Sequence, residues 1–152
     1  MTTDPRLQDV FTRLVRVQTR LWNDVDARVR SEHGVPLTDL TTLQVVAETP
    51  GCRVQEIVTT LHITVGGASK VVDRLVASGL VVRAGNPDDR RSSIVTTTQT
   101  GLALLKRTGP DVEDVLAKRL APPLTPADLD VLDQILRTLQ VSSPGTPRQK
   151  MD

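Results

Sequence analysis

Five basic side chains, Lys70, Arg74, Arg83, Arg90 and Arg91, fall within residues 64–95, where only Asp73, Asp88 and Asp89 oppose them. The chain as a whole carries +1, from 19 basic and 18 acidic residues, so any chemistry directed at a polyanion is concentrated in this stretch. It opens Thr64-Val65-Gly66-Gly67, and Ser69 and Lys70 follow. Threonine is a favoured helix N-cap, and a helix N-terminus offers unbonded N–H groups to a phosphate. Two glycines in a first turn cost about 1 kcal/mol each relative to alanine. Such a cost suits a backbone that must approach a partner closely; a frayed first turn would also carry it. Asp73 would repel phosphate and is expected to pair with a nearby arginine. Arg74 reaches phosphate or makes that pair. Arg90 contacts the polyanion or stiffens its turn through Asp88 or Asp89.

Other chemistry is poorly represented. There is no glycine-rich phosphate loop and no nucleophile elbow, so an enzyme is not expected. His33 and His62 are the only histidines and Cys52 the only cysteine, which predicts no metal site, no cofactor and no intrachain disulfide. Cys52 reads as a small packed residue; the alternative, an oxidant sensor, lacks a second cysteine to resolve it. No apolar run approaches the roughly 20 residues of a membrane span, and the N-terminus lacks the apolar core of a signal peptide. A cytoplasmic location is expected. Trp22 and Phe11 are the only aromatics among 152 residues. The core must therefore be aliphatic, which favours helix packing.

The elements that position the basic stretch follow from periodicity. Leu7, Val10, Phe11, Leu14, Leu21, Trp22, Val25 and Val29 mark one long amphipathic helix of about 27 residues, ended by Gly34 and Pro36. A helix of that length tends to need a second chain over its apolar stripe. Thr38 is expected to cap a second helix with Leu40, Leu43, Val46 and Ala47 inward. A third runs over residues 53–61 with Val54, Ile57, Val58 and Leu61 buried. The fourth is capped by Thr64, buries Ala68, Val71, Val72 and Leu75, and stops at Ser78-Gly79. The period then shortens. Residues 80–83 and 92–97 read as paired strands around turn chemistry at 84–91. A fifth helix opens at Gln99 or Thr100 and carries Leu102, Leu104, Leu105, Val112, Val115, Leu116 and Leu120. Pro110 predicts a kink or break within it. Thr125-Pro126-Ala127-Asp128 starts a sixth, with Leu129, Leu132, Ile135, Leu136 and Leu139. The polar tail, residues 142–152, reads as disordered.

Three helices followed by a hairpin, over residues 37–98, is the layout of a winged helix-turn-helix. The second helix of the turn motif then enters the major groove of double-stranded DNA. Here that helix would present Thr64, Val65, Gly66, Gly67, Ser69, Lys70 and Arg74. At the hairpin tip, Arg91 would enter the minor groove, whose concentrated negative potential attracts arginine. The fold class is mainly α (α+β), with one β-hairpin.

The segment ITVGGASKVVDRLVASGLVVRAGNPDDRRSSIVTTTQTG resembles the signature of the MarR family of regulators. The matching pieces are Asp73-Arg74-Leu75, Gly79-Leu80, the run Asn86-Pro87-Asp88-Asp89-Arg90-Arg91, and Thr97 to Gly101. Asn86 stands where the family has an acid, and Thr97 where it has leucine. The resemblance covers roughly residues 7–140. It implies a ligand-responsive repressor that binds a palindromic operator as a homodimer. Residues 5–34 and 99–141 would form the helical dimerisation region, and 37–98 the DNA-binding domain. It also implies a small aromatic or anionic effector between these regions. Trp22, with Arg20, is a candidate wall for that pocket; core or dimer packing is the competing role for Trp22. A winged helix that binds protein rather than DNA is the reading from another class.

Overall fold

The computed structural model describes residues 4–141. The expected tail at 142–152 lies outside them. Six helices and one hairpin follow in order: α1 (Arg6–His33), α2 (Leu37–Glu48), α3 (Val54–Leu61), α4 (Val65–Ala77), β1 (Val81–Asn86), β2 (Asp89–Thr97), α5 (Gln99–Leu120) and α6 (Pro126–Val141). The mainly helical class with one antiparallel hairpin is as the sequence predicts. The chain divides into two compact units, one ending at Val115 and the other beginning at Leu116.

The first unit has a single aliphatic core. Val25 and Val29 from α1, Leu40, Leu43 and Val46 from α2, and Ile57 from α3 are buried in it. So are Ala68, Val71, Val72 and Leu75 from α4, all four of which the periodicity assigns inward. Leu80, Val81, Val95 and Leu104 complete it. Three expectations need correction. Ala47 is exposed. Val54, Val58 and Leu61 are half-buried, leaving Ile57 as the one fully covered residue of a two-turn helix. Thr38 lies inside α2 and does not cap it. The cap comes from α1 instead: Asp26 Oδ1 accepts the Leu37 N–H at 2.7 Å, while Asp26 Oδ2 pairs with Arg30 at 2.6 Å. One carboxylate thereby satisfies an orphan donor of α2 and fixes how α1 enters it. Gly34, in the left-handed region at φ 68°, makes the turn between them.

The Leu37 N–H bond, with help from Arg30, holds the Asp26 carboxyl below its ordinary range despite partial burial. A lowered carboxylate stabilises the fold above its unfolded-state pKa, and that contribution is lost as pH falls through the folded-state value. Asp26→Ala is therefore expected to cost about 1 kcal/mol at pH 7. The difference from the parent should shrink as pH drops below about 4. Urea denaturation at pH 7 and pH 3 reads both; an equal difference at the two pH values would remove Asp26 as the cap.

The hairpin is longer than its turn chemistry suggests. Strand pairing continues from Val81↔Thr97 to Asn86↔Asp89, so only Pro87 and Asp88 are left as the turn. Side chains at the tip take over the backbone bonding. Asn86 Oδ1 accepts the Asp88 N–H, Asn86 Nδ2 donates to Ser92 Oγ, and Asp89 Oδ1 accepts the Arg91 N–H. Asparagine serves as acceptor and donor at once, a pairing that a carboxylate at position 86 would only half reproduce. The Val95 N–H donates to the Cys52 carbonyl at 2.8 Å, tying β2 to the connection between α2 and α3.

Thr98 caps α5. Its hydroxyl accepts the Gly101 N–H and lies against the Gly79 and Leu80 carbonyls, at 2.7 and 3.1 Å. The Thr98 N–H also donates to Leu80 O. The Thr98-to-Gly101 motif thus docks the first turn of α5 on the junction between α4 and β1. Pro110 does not break α5, which is helical through it. The proline is on the exposed side, where water can take up the carbonyl it frees.

In the second unit, α6 begins as predicted. Thr125 Oγ1 accepts the Asp128 N–H, and Asp128 Oδ2 accepts the Thr125 N–H in return. Leu129, Val131, Ile135, Leu136 and Leu139 of α6 are exposed.

Candidate nucleic-acid interface

Thr64 caps α4, its Oγ1 accepting the Gly67 N–H at 3.0 Å. A Cβ on Gly67 would stand 3.1 Å from that oxygen, so the second glycine leaves room for the cap. A Cβ on Gly66 would meet nothing within 4 Å, and packing gives no reason for the first glycine. Val65 is 57% exposed, an apolar side chain offered to solvent at a helix start. Lys70 is exposed and Ser69 half-buried. The N-terminal half of α4 is therefore a surface of small, apolar and cationic groups, with no acid in its first turn.

The two residues that follow are committed within the fold. Arg74 forms a fork with Asp39 of α2: its Nη2 meets Oδ1 and its Nε meets Oδ2 at 3.2 Å. The Asp39 side chain is 8% exposed and that of Arg74 is 50% exposed. Of the two roles open to Arg74, the structure places it in a pair, with a partner on another helix. Asp73 pairs with Arg83 of β1 at 3.0 Å, the arginine partnership expected for it. These two bridges fix α4 to α2 and to the hairpin.

At the hairpin tip Arg90 and Arg91 are exposed, and neither makes an ion pair among the described residues. Arg90 does not use Asp88 or Asp89, whose groups shape the turn. Lys70, Arg90 and Arg91 are thus cations that the fold leaves uncommitted.

Trp22 is half-buried and lies with Gln18 and Thr19 in an open depression on α1; Arg20 lines its neighbour with Arg16 and Asn23. Both depressions are formed by α1 alone and enclose nothing. Cys52 is fully buried, and its thiol is pushed above the ordinary range by burial first and by Glu56 second. A buried thiol held protonated is a poor nucleophile, which does not favour the oxidant-sensor alternative. Among the described residues no group of three or more His, Cys, Asp or Glu could hold a metal. No described helix is long and apolar enough to cross a membrane. Asp39 and Asp26 escaped the sequence reading because their partners lie 35 and 11 residues away.

Three helices, an exposed helix N-terminus and a hairpin with free arginines define a winged helix-turn-helix protein. The model of the MarR family matches residues 33–92, about two fifths of the chain, and over that stretch the chain is similar to that family of regulators. It is 31% identical over 77 residues to the multiple antibiotic resistance protein MarR of Escherichia coli (strain K12). That match takes in 51% of this chain and 54% of the relative, so about half of its length is spanned. The structure of Sco3205, a MarR family transcriptional regulator from Streptomyces coelicolor, in complex with DNA, superposes with TM-score 0.79 at 27% identity, covering 92% of this chain and 89% of that one. CouR from Rhodococcus jostii RHA1, bound to p-coumaroyl-CoA, shares the fold at TM-score 0.77 and 20% identity, over 93% of this chain and 99% of its own.

Proposed function

We propose that the chain is a cytoplasmic, homodimeric repressor that reads a palindromic site in double-stranded DNA and answers to a small aromatic or anionic effector. The observation that carries the DNA contact is the set of uncommitted cations: Lys70 on α4, and Arg90 and Arg91 on the hairpin. Thr64, Val65, Gly66, Gly67 and Ser69 supply the remaining helix face. Arg74 acts from behind, holding α4 through Asp39. The dimer is supported by α1, where Leu7, Val10, Leu14 and Val17 are exposed and Phe11 is 66% exposed. A stripe of this size on a soluble chain marks an interface. A twofold dimer reads half-sites about one helical turn apart. The effector is supported by the likeness to the ligand-bound CouR fold, with Trp22 and Arg20 as wall residues once another element covers them.

The test is a titration of the purified chain with DNA from upstream of its own gene at two salt concentrations, with mass measured in parallel. Tight, salt-sensitive binding of a dimer to a palindrome is the expected result. Weak binding indifferent to sequence and salt would turn the reading towards a protein partner. Arg91→Ala is expected to weaken binding and to lower the slope of log affinity against log salt by about one, the share of one neutralised phosphate. An unchanged slope and affinity would take Arg91 off the interface.

A further inference from the structure

Val65 is an apolar side chain that neither packing nor helix propensity explains. Valine loses side-chain freedom in a helix, and at 57% exposure it regains little of that loss through burial. The positions that brace a helix start by apolar contact are the residue before the cap and the fourth helical one, here Ile63 and Ala68. Val65 is neither of these.

Its surroundings are poor in side-chain hydrogen-bonding groups. Ala68, Val71, Val72 and Leu75 of α4 are buried, while Val65, Gly66 and Lys70 are exposed. Val65 and Gly66 carry no side-chain donor or acceptor, and the Thr64 oxygen already holds the Gly67 N–H. The start of α4 therefore recognises an apolar group better than a polar one. In the major groove of DNA only thymine presents such a group, its 5-methyl. Gly66 supports a close approach: nothing lies within 4 Å of where its Cβ would stand, and the missing side chain leaves the backbone beside Val65 bare. The electrostatics agree, since the first turn of α4 holds no acid to repel the flanking phosphates and Lys70 follows one turn later.

We infer that Val65 determines sequence specificity by packing against the 5-methyl group of one thymine in each half-site, with Gly66 permitting the approach. The inference rests on the DNA reading above and adds to it the base that the start of α4 selects.

The test begins with the full chain selecting duplexes from a random-sequence pool, which supplies the probe. Each thymine of the selected site is then replaced singly by deoxyuridine, which keeps the hydrogen bonds of the base pair and removes only the methyl. One thymine in each half-site is expected at which this exchange costs the parent about fourfold in affinity, the worth of one buried methyl group. In Val65→Ala the same exchange should cost less than about 1.5-fold, the coupling between the two methyl-bearing partners having gone. The melting temperature of that variant should match the parent's, because the side chain removed is exposed. Val76→Ala is the control. Val76 is also an exposed apolar residue of α4, but it lies about 16 Å further along the axis, and the fourfold step should persist without it. A site with no methyl-sensitive thymine would overturn the inference while DNA binding stood. So would a sensitivity that survives Val65→Ala or disappears in Val76→Ala. A pool in which no sequence is enriched would instead overturn the DNA reading, and the role of Val65 with it.

Discussion

Gly101→Ala is expected to destabilise the protein by about 3 kcal/mol, the upper end of what overpacking a well-filled core costs. The sign is what makes the experiment informative. In an ordinary helix the same change is stabilising by about 1 kcal/mol, because glycine loses more backbone entropy on folding. At position 101 the new methyl would sit 2.3 Å from the Leu80 carbonyl oxygen, 2.8 Å from Thr97 Cγ2 and 3.2 Å from Leu43 Cδ1. The first of these is backbone and cannot rotate aside. Leu80 O is also the acceptor of the Thr98 N–H, so moving it breaks the bond that seats α5. Gly66 is the internal control: a Cβ there meets nothing within 4 Å, and Gly66→Ala should gain up to about 1 kcal/mol. Thermal or urea unfolding of the two variants decides the matter. A Gly101→Ala protein as stable as the parent would mean that α5 is not held against Leu80.

Arg74→Ala is expected to cost about 2 kcal/mol of stability and to weaken DNA binding without altering its salt dependence. Removing the arginine strands a carboxylate that is 8% exposed, and an unpaired buried acceptor costs about 1–3 kcal/mol. A fully buried pair would cost about 3–5 kcal/mol, but half of Arg74 is in water and the interaction is screened accordingly. Asp39→Ala should cost less, since the freed guanidinium can be solvated. The double variant should be destabilised by less than the sum of the two, with a coupling of about 1 kcal/mol. Additive single effects would show that the fork does not hold α4. A drop of about one in the salt slope with no loss of stability would instead put Arg74 on a phosphate.

The division between these two variants and Arg91→Ala reflects what could be read from residue order. The α4 core face, its Thr64 cap, the Gly79 stop, the α6 start and the hairpin were all legible, because each is a local pattern. Periodicity, capping and left-handed glycine positions depend on residues three or four apart. So was the similarity to the MarR family, from the run between Asp73 and Gly101. The hairpin turn was less legible: the Gly85-Asn86-Pro87-Asp88 composition says that the chain reverses but not that pairing continues up to Asn86.

The sequence by itself determined the elements, their order and the stretch in which basic side chains gather. Only the tertiary structure decided which of those side chains are committed. Arg74 and Arg83 carry the same charge as Arg90 and Arg91, yet the first two are bound to Asp39 and Asp73 while the last two are not. Asp39 is 35 residues from Arg74, Asp26 caps a helix that begins 11 residues later, and Leu80 forbids a side chain on Gly101 of α5, beyond both strands of the hairpin. Such contacts depend on distance in space after the core has closed, and no spacing along the chain encodes them.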